Sequence, residues 1–531
     1  MVDNDMNTIT KSKINNTASN WITGIYVLII LAVFPLFYLD YYYNILQAKY
    51  YFYCAVTIIF IIVTVLLFAY KILCKNEKQQ MKGRRKYFSL PEKFIIAFLI
   101  INIISTLQSD YVYESFWGNE GRYTGLFLWL LYTLGFLIIS KLFNFKKWYL
   151  DIFLYAGMLV CLFGITDYFQ MDILHFKVNM NPYQKNMFVS TIGNVNTYTA
   201  YVALVMGVSA TLYALERKTY QLIKYFICMV ISFFALIMGL SDNAYLALAA
   251  LFALLPFWLF KSRTGIRRYL VILTTFSIVI WCIDLINKII PDKVLSMDGM
   301  LRAISGFSGL EVIVVLLCLL SAGLYLFDYL GKRNDATGKW PVLIWTTFLA
   351  VGILVFCVIL CDANLGLNAD RYGKLANYLV FNDNWGTHRG YNWRIALESY
   401  KNFPLLHKLF GYGPDTYGIL TVTGPYYDQM RLEFNEIYDS AHNEYLQFFV
   451  TVGPFGLAAY VGLLISSLAA ILKQVNKNTS AIAIAMAVIC YAAQATVNIN
   501  LPIATPVFMV LLAVGLSISR KKQNNEPAEL R

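Results

Sequence analysis

The stretch PVLIWTTFLAVGILVFCVILC, Pro341 to Cys361, carries no Asp, Glu, Lys or Arg in 21 residues. At about 1.5 Å of rise per residue a helix of that length reaches about 30 Å, the depth of a bilayer's hydrocarbon core. Hydrocarbon offers no partner to a backbone N–H or C=O, so such a run must be a helix that satisfies its own backbone. A spanning barrel would show short segments of alternating polarity instead. Directly after Cys361 the character reverses: 362–441 hold seven basic and nine acidic residues and are dense in Tyr, Trp, Asn, Gly and Pro. A long polar loop between spans is usually functional. Ile395 to Tyr400 reads as the start of a short amphipathic helix and Gly411-Tyr412-Gly413-Pro414 as a turn, so this loop is expected to fold against the membrane domain.

Outward from Pro341, similar runs recur at 21–39, 51–70, 93–107, 124–141, 150–168, 194–215, 225–241, 243–260, 269–287, 310–329, 445–472, 480–497 and 501–518. The expectation is an all-α polytopic membrane protein of about 14 transmembrane helices, within a range of 12 to 14, with one large, partly helical extracytoplasmic loop. Composition agrees, since 531 residues that are 59% hydrophobic and only 14% charged cannot clothe soluble domains.

The 43 basic and 31 acidic residues leave a charge of +12, which in a soluble protein would suggest nucleic acid. Here the basic residues sort topology instead. They fall in alternate loops: Lys75, Lys78, Lys82, Arg84, Arg85 and Lys86; Lys146 and Lys147; Arg217 and Lys218; Lys261, Arg263, Arg267 and Arg268; Lys332 and Arg333; Lys473 and Lys477; Arg520 to Lys522. Basic loops face the cytoplasm. The organisation expected is a cytoplasmic segment 1–20, a membrane domain 21–361 of about eleven spans, an extracytoplasmic loop 362–441, C-terminal spans in 442–519 and a cytoplasmic tail 520–531. No cleavage site follows the polar first twenty residues, so the first span is expected to be retained. Cys54, Cys74, Cys161, Cys228, Cys282, Cys318, Cys357, Cys361 and Cys490 lie in or beside apolar runs and should be free core thiols.

All four histidines, His175, His388, His407 and His442, fall on the outward side of this topology. His442 lies in Asp439-Ser440-Ala441-His442-Asn443-Glu444-Tyr445-Leu446-Gln447, a polar opening that runs into an apolar span. Ser440 as helix cap would place His442 in the first turn, where an imidazole can take a proton from a hydroxyl near neutral pH. Asn443 and Glu444 beside it are candidates to line a substrate cavity. Arg389 and Arg394, in Thr387-His388-Arg389-Gly390-Tyr391-Asn392-Trp393-Arg394, offer guanidinium forks suited to a diphosphate, interfacial anchoring being the alternative. Arg122, in Gly118-Asn119-Glu120-Gly121-Arg122-Tyr123, is a third such arginine. Asp242 in the polar break Ser241-Asp242-Asn243 is either a solvated turn residue or one with a task. Asn196, where another span opens, either caps that helix or lines the cavity.

Glycine-rich nucleotide loops, His-Glu-x-x-His and paired-cysteine sites are absent, so neither a metal site nor a cofactor is expected. The inward loops are too short for a nucleotide-sugar domain. Any donor should therefore be lipid-borne and present at the outer leaflet.

From Arg389 to Gly456 the chain resembles the O-antigen ligase and O-antigen polymerase superfamily of bacterial envelope proteins. The likeness rests on Arg389 and Trp393 in an arginine-x-x-x-tryptophan pattern, on Pro404-Leu405-Leu406 and Phe410-Gly411-Tyr412-Gly413-Pro414, and on Ala441-His442-Asn443-Glu444-Tyr445-Leu446-Gln447 followed by Gly453, Phe455 and Gly456. Gly193-Asn194-Val195-Asn196 also looks like the family's glycine and asparagine motif. The resemblance implies a metal-independent, inverting membrane glycosyltransferase in the bacterial plasma membrane. It would move a glycan from polyprenyl diphosphate to the hydroxyl of a glycan, glycolipid or protein acceptor, with membrane lipids and no nucleic acid around it. His442 then matches the catalytic base and Arg389 an arginine that binds the donor diphosphate. Where many members have a serine-arginine pair this chain has Ser241-Asp242, and Arg122 or Arg394 would have to stand in. A polysaccharide polymerase of the same superfamily is the nearest alternative. A lipid-linked glycan flippase or transporter is the rival from another class, and it would be expected to show internal repeats and charged or broken helices at mid-membrane.

Overall fold

The computed structural model describes residues 17–73, 88–178, 180–182, 184–297, 299–331, 335–366, 368–474 and 478–523. Eleven described helices are long and apolar enough to cross a membrane: α1 (Thr17–Leu36), α2 (Ile45–Tyr70), α3 (Leu90–Gln108), α5 (Trp148–Tyr168), α6 (Val195–Leu215), α7 (Thr219–Met238), α9 (Arg263–Ile289), α10 (Leu310–Leu330), α11 (Trp340–Asn364), α15 (Gly453–Leu472) and α16 (Thr479–Val497). Three shorter apolar helices complete the set, α4 (Leu126–Leu142), α8 (Asn243–Leu259) and α17 (Thr505–Arg520). Each falls on a run read from the sequence. Three shorter helices of the C-terminal half matter for the site: α12 (Trp385–Asn402), α13 (Leu405–Phe410) and α14 (Glu444–Thr451). Among the described residues the only sheet is a hairpin of β1 (Phe188–Val189) and β2 (Gly193–Asn194), which leads into α6. The fold is an all-α polytopic membrane protein.

The centre of the bundle is α6, nearly every residue of which is buried. It crosses α16 through small residues, and a Cβ placed on Gly207 would come within 2.6 Å of the Ala487 Cα. Helices in hydrocarbon gain nothing from mutual burial of apolar surface, so close backbone approach at Gly and Ala supplies the dispersion contacts instead. By contrast α10 and α11 turn almost all of their side chains outward, which suits helices on the lipid-facing rim. Cys318, Cys357 and Cys361 sit on those two helices and are exposed, so the expectation of uniformly buried thiols is corrected to Cys54, Cys161, Cys228 and Cys490, with Cys282 intermediate. Cys74 lies outside the described residues.

Ion pairs join those helix ends that the alternation of basic loops assigns to one side. Lys147 pairs with Glu216, Arg267 Nε lies 3.1 Å from Asp328, and buried Glu92 takes Arg520 with Lys141 3.9 Å away. The end of α6 therefore meets the start of α5, the end of α10 the start of α9, and the ends of α4 and α17 the start of α3. The basic residues from Lys75 to Lys86, Lys332, Arg333 and Lys477 lie outside the described residues, as do 1–16 and 524–531.

The segment expected as one span over 445–472 is two helices. Gly453 has φ +79°, with Pro454 after it, and the break separates the eight-residue α14 from α15. The 362–441 segment seats on that break: Tyr412 N donates to Val450 O and Gly413 N to Thr451 O, both at 2.9 Å. From the other side Ser109 Oγ donates to Tyr412 O at 2.8 Å. One small core, around Phe403, Tyr417 and Val450, joins the segment to α14, and a second, around Tyr391, Ile395 and Met430, lies within the segment itself.

Candidate active site

Helix α12 is regular only from Arg389 onward, because Gly386, Thr387 and His388 ahead of it have left-handed backbones. Arg389 and Trp393, one helical turn apart, then lie on one face. Trp393 Nε1 donates to Ala441 O at 3.0 Å, while Arg389 Nε donates to Val497 O at 3.1 Å. The arginine-x-x-x-tryptophan spacing is thus a clamp, with one end on the turn before α14 and the other at the end of α16.

That turn carries His442. The expectation that Ser440 caps the helix is corrected: the cap is Asn443, whose Oδ1 accepts from Tyr445 N and Leu446 N, and α14 starts at Glu444. His442 precedes the helix with φ +47°, its N donating to Ser440 Oγ at 3.2 Å. Asparagine won the cap because its longer side chain reaches two backbone amides at once, and the left-handed residue before it turns the imidazole away from the helix.

A cavity of about 740 Å³ opens in front of His442. Its lining includes Asn196, Ser241, Asp242, Arg389, Glu436 and His442, together with apolar Leu236, Ile237 and Leu240. Six segments meet there: 186–187 ahead of β1, the start of α6, the break between α7 and α8, 295–299 after α9, α12, and the turn before α14. Below the break the side chains form a network in which Ser241 Oγ lies 2.6 Å from Asn196 Oδ1 and 2.7 Å from Asn243 Oδ1. Asn498 Nδ2 donates to Asn196 O at 2.9 Å. A polar floor of this kind inside a helical bundle is costly unless satisfied, and here it is.

Electrostatics around the cavity are uneven. Burial first, then the charges of Arg122 and Arg389, hold the His442 imidazole down to about 3, so it is neutral at ordinary pH. Its Nδ1 is buried without a hydrogen-bond partner. Asp242 faces open cavity, yet the surrounding walls raise its carboxyl above the usual range, an effect that Met300 N and the Arg389 charge only partly offset. Arg389 in turn is lowered by enclosure and supported by Asp242.

The remaining sequence candidates lie elsewhere. Arg394 is turned from the cavity and pairs with Asp383 at 2.8 Å and Glu398 at 3.4 Å, stacked over Tyr391. The Arg122 fork is taken by both carboxylate oxygens of Asp439. Asn443 is spent on capping. Glu444 is buried behind the cavity, receiving hydrogen bonds from Tyr460 Oη and Asn500 Nδ2. His407 packs between Phe403 and Tyr412, and His388 against Phe434. Among the described residues no three or more His, Cys, Asp or Glu side chains gather as a metal site. Sequence reasoning missed Glu436, Tyr438 and Asn392 on the wall, and Asn498 in the floor. Asp439 was visible at the head of the histidine motif, but its partner lies 317 positions away in sequence.

Fold and site together define a polytopic membrane protein with a half-enclosed polar cavity lined by a neutral imidazole and a guanidinium. Residues 306–461 match the model of the O-antigen ligase family. This match, which covers less than half of the chain, supports the O-antigen ligase and polymerase superfamily and implies a membrane glycosyltransferase type of enzyme. The match includes Arg389 and His442 and leaves Arg122, Asn196 and Asp242 outside it. No curated protein matches the chain.

Proposed function

We propose that the chain is an O-antigen ligase-like glycosyltransferase that moves a glycan from polyprenyl diphosphate to an acceptor hydroxyl at the outer face of a bacterial plasma membrane. One observation carries this reading: His442 and Arg389, far apart in sequence and both within the family match, line the same cavity. His442 Nε2 takes the acceptor's proton as the hydroxyl oxygen attacks the anomeric carbon. The bond from that carbon to the diphosphate oxygen breaks on the opposite side, and Arg389 receives the charge that develops there. A single displacement inverts the carbon and releases polyprenyl diphosphate. Apolar Leu236, Ile237 and Leu240 suit the lipid end of such a donor. Asp242, where many relatives have arginine, has a raised carboxyl that can take up a proton as an anionic donor arrives. The acceptor separates ligase from polymerase, the polymerase adding to the growing chain itself.

Arginine can neutralise a diphosphate without metal, so turnover is expected to survive chelation by EDTA; complete loss reversed by magnesium would contradict this and point to Asp242 as a ligand. The reading is tested by reconstituting the purified chain with a polyprenyl-diphosphate oligosaccharide and candidate acceptors. Release of free polyprenyl diphosphate together with acceptor elongation supports it. Passage of intact donor between leaflets would overturn it in favour of a flippase.

A further inference from the structure

The loop at 118–125 is gripped by two carboxylates of the C-terminal half. Asp415 Oδ2 accepts from Asn119 N at 2.8 Å and from Thr124 N at 2.9 Å, so it holds the loop by its backbone at both ends. Between those anchors Arg122 points its fork at Asp439, Nε to Oδ2 at 2.9 Å and Nη2 to Oδ1. The arginine side chain is 12% exposed and that of Asp439 48%, so the pair is sheltered on the arginine's side and open on the carboxylate's, and its worth lies in the two-point geometry. Asp439 is three residues before His442, in the turn that Trp393 holds at Ala441 O and Gln447 Oε1 holds at Ala441 N. A histidine in the left-handed region stays there only if its surroundings over-determine the backbone. The Arg122 fork fixes the one end of this turn that neither Trp393 nor Gln447 reaches.

We propose that Arg122 is a positioning residue for His442: its bidentate pair with Asp439 sets the turn that aims the imidazole into the cavity, and it does not bind the donor. The proposal rests on the reading of His442 as the base. It replaces the donor-binding role that the sequence suggested for Arg122, whose fork is already filled and which does not line the large cavity. The pair also acts through charge. Arg122 and Arg389 disfavour the imidazolium and Asp439 favours it, while Asp242, Glu436, Tyr245 and Tyr438 are the other titratable groups on the cavity wall.

The test is the pH dependence of turnover in the reconstituted full chain for Arg122→Gln, Asp439→Asn and Arg122→Lys, with donor saturating for kcat and varied for KM. Each variant should lower kcat by about tenfold or more, as misplaced general bases do, with donor KM unchanged within about twofold. The acid limb of kcat should move up in pH for Arg122→Gln, which removes a positive charge and frees Asp439, and down for Asp439→Asn, which removes the negative one. Arg122→Lys keeps the charge and loses the fork, so its limb should stay in place while kcat falls. A purely structural role would not produce shifts of opposite sign. Donor KM raised tenfold with kcat retained would overturn the proposal by making Arg122 a donor ligand. Limbs that coincide in all variants, or kcat unchanged in all, would overturn it equally. If Arg122→Gln does not fold, a downward shift in Asp439→Asn against none in Arg122→Lys, with kcat lowered in both, is the result expected, and equal limbs in the two would overturn the proposal. A fully active His442→Ala protein would instead sink the reading of the base, and so tells the two failures apart.

Discussion

His442 is a poor base by itself, since burial and two guanidinium groups hold it to about 3. A diphosphate beside Arg389 would cancel part of that positive field and favour the imidazolium, so donor binding raises the affinity of His442 for the acceptor's proton. The sign is therefore fixed: the acid limb of kcat, which reports the donor complex, should lie at higher pH than the limb of kcat/KM for donor, which reports the free enzyme. Parallel pH profiles of the two parameters check this, and the reverse order would contradict it. At this scale the sequence was legible where a residue's role is set by its neighbours along the chain. His442 and Arg389 stood out because their motifs are local. Arg122 and Arg394 looked like equally free forks, because Asp439 and Asp383, which occupy them, come close only when the chain folds. The left-handed backbone of His442 leaves no mark on composition, so the sequence pointed to Ser440 as the cap where the structure uses Asn443.

Between α13 and α15 the backbone passes close to itself. Gly411 has φ +80°, and a Cβ there would lie 2.2 Å from Thr451 C and 2.3 Å from Val452 N, backbone atoms that cannot move aside. Gly411→Ala should therefore destabilise the docking of 362–441 on the α14–α15 break by more than about 3 kcal/mol, combining a clash with a left-handed φ. Thermal unfolding, with limited proteolysis of that segment, measures it; an unchanged melting temperature and protease pattern would contradict the packing described. Hydropathy located all fourteen apolar helices, because burial in lipid is a property of composition averaged over a window. It missed the interruption at Gly453, where the backbone turns while the side chains remain apolar. The Gly453-Pro454 pair was the available signal.

Seen whole, the molecule joins by ion pairs the helix ends that the basic loops assign to one face, α6 to α5, α10 to α9, and α4 and α17 to α3, and puts the cavity, the 118–125 loop and the 362–441 segment at the other. If the paired face is cytoplasmic, as the basic loops imply, Asp428 faces outside. A cysteine at position 428, in a background without the native cysteines, should react with a membrane-impermeant maleimide in intact cells. Labelling only after membrane disruption would reverse the topology and every role assigned to the cavity. Alternation of charge made this arrangement readable, since sidedness is set by loop composition. The cavity was not readable, because it is built where six segments remote in sequence converge.

The most direct test of the central claim is single-turnover transfer by His442→Ala in proteoliposomes loaded with polyprenyl-diphosphate oligosaccharide and acceptor. If His442 is the base that lines the cavity, the variant folds and binds donor as the parent does, and glycan transfer falls by about 10²- to 10⁴-fold. Transfer at the parent's rate with donor bound would contradict the account and leave the shared cavity of His442 and Arg389 without a catalytic meaning.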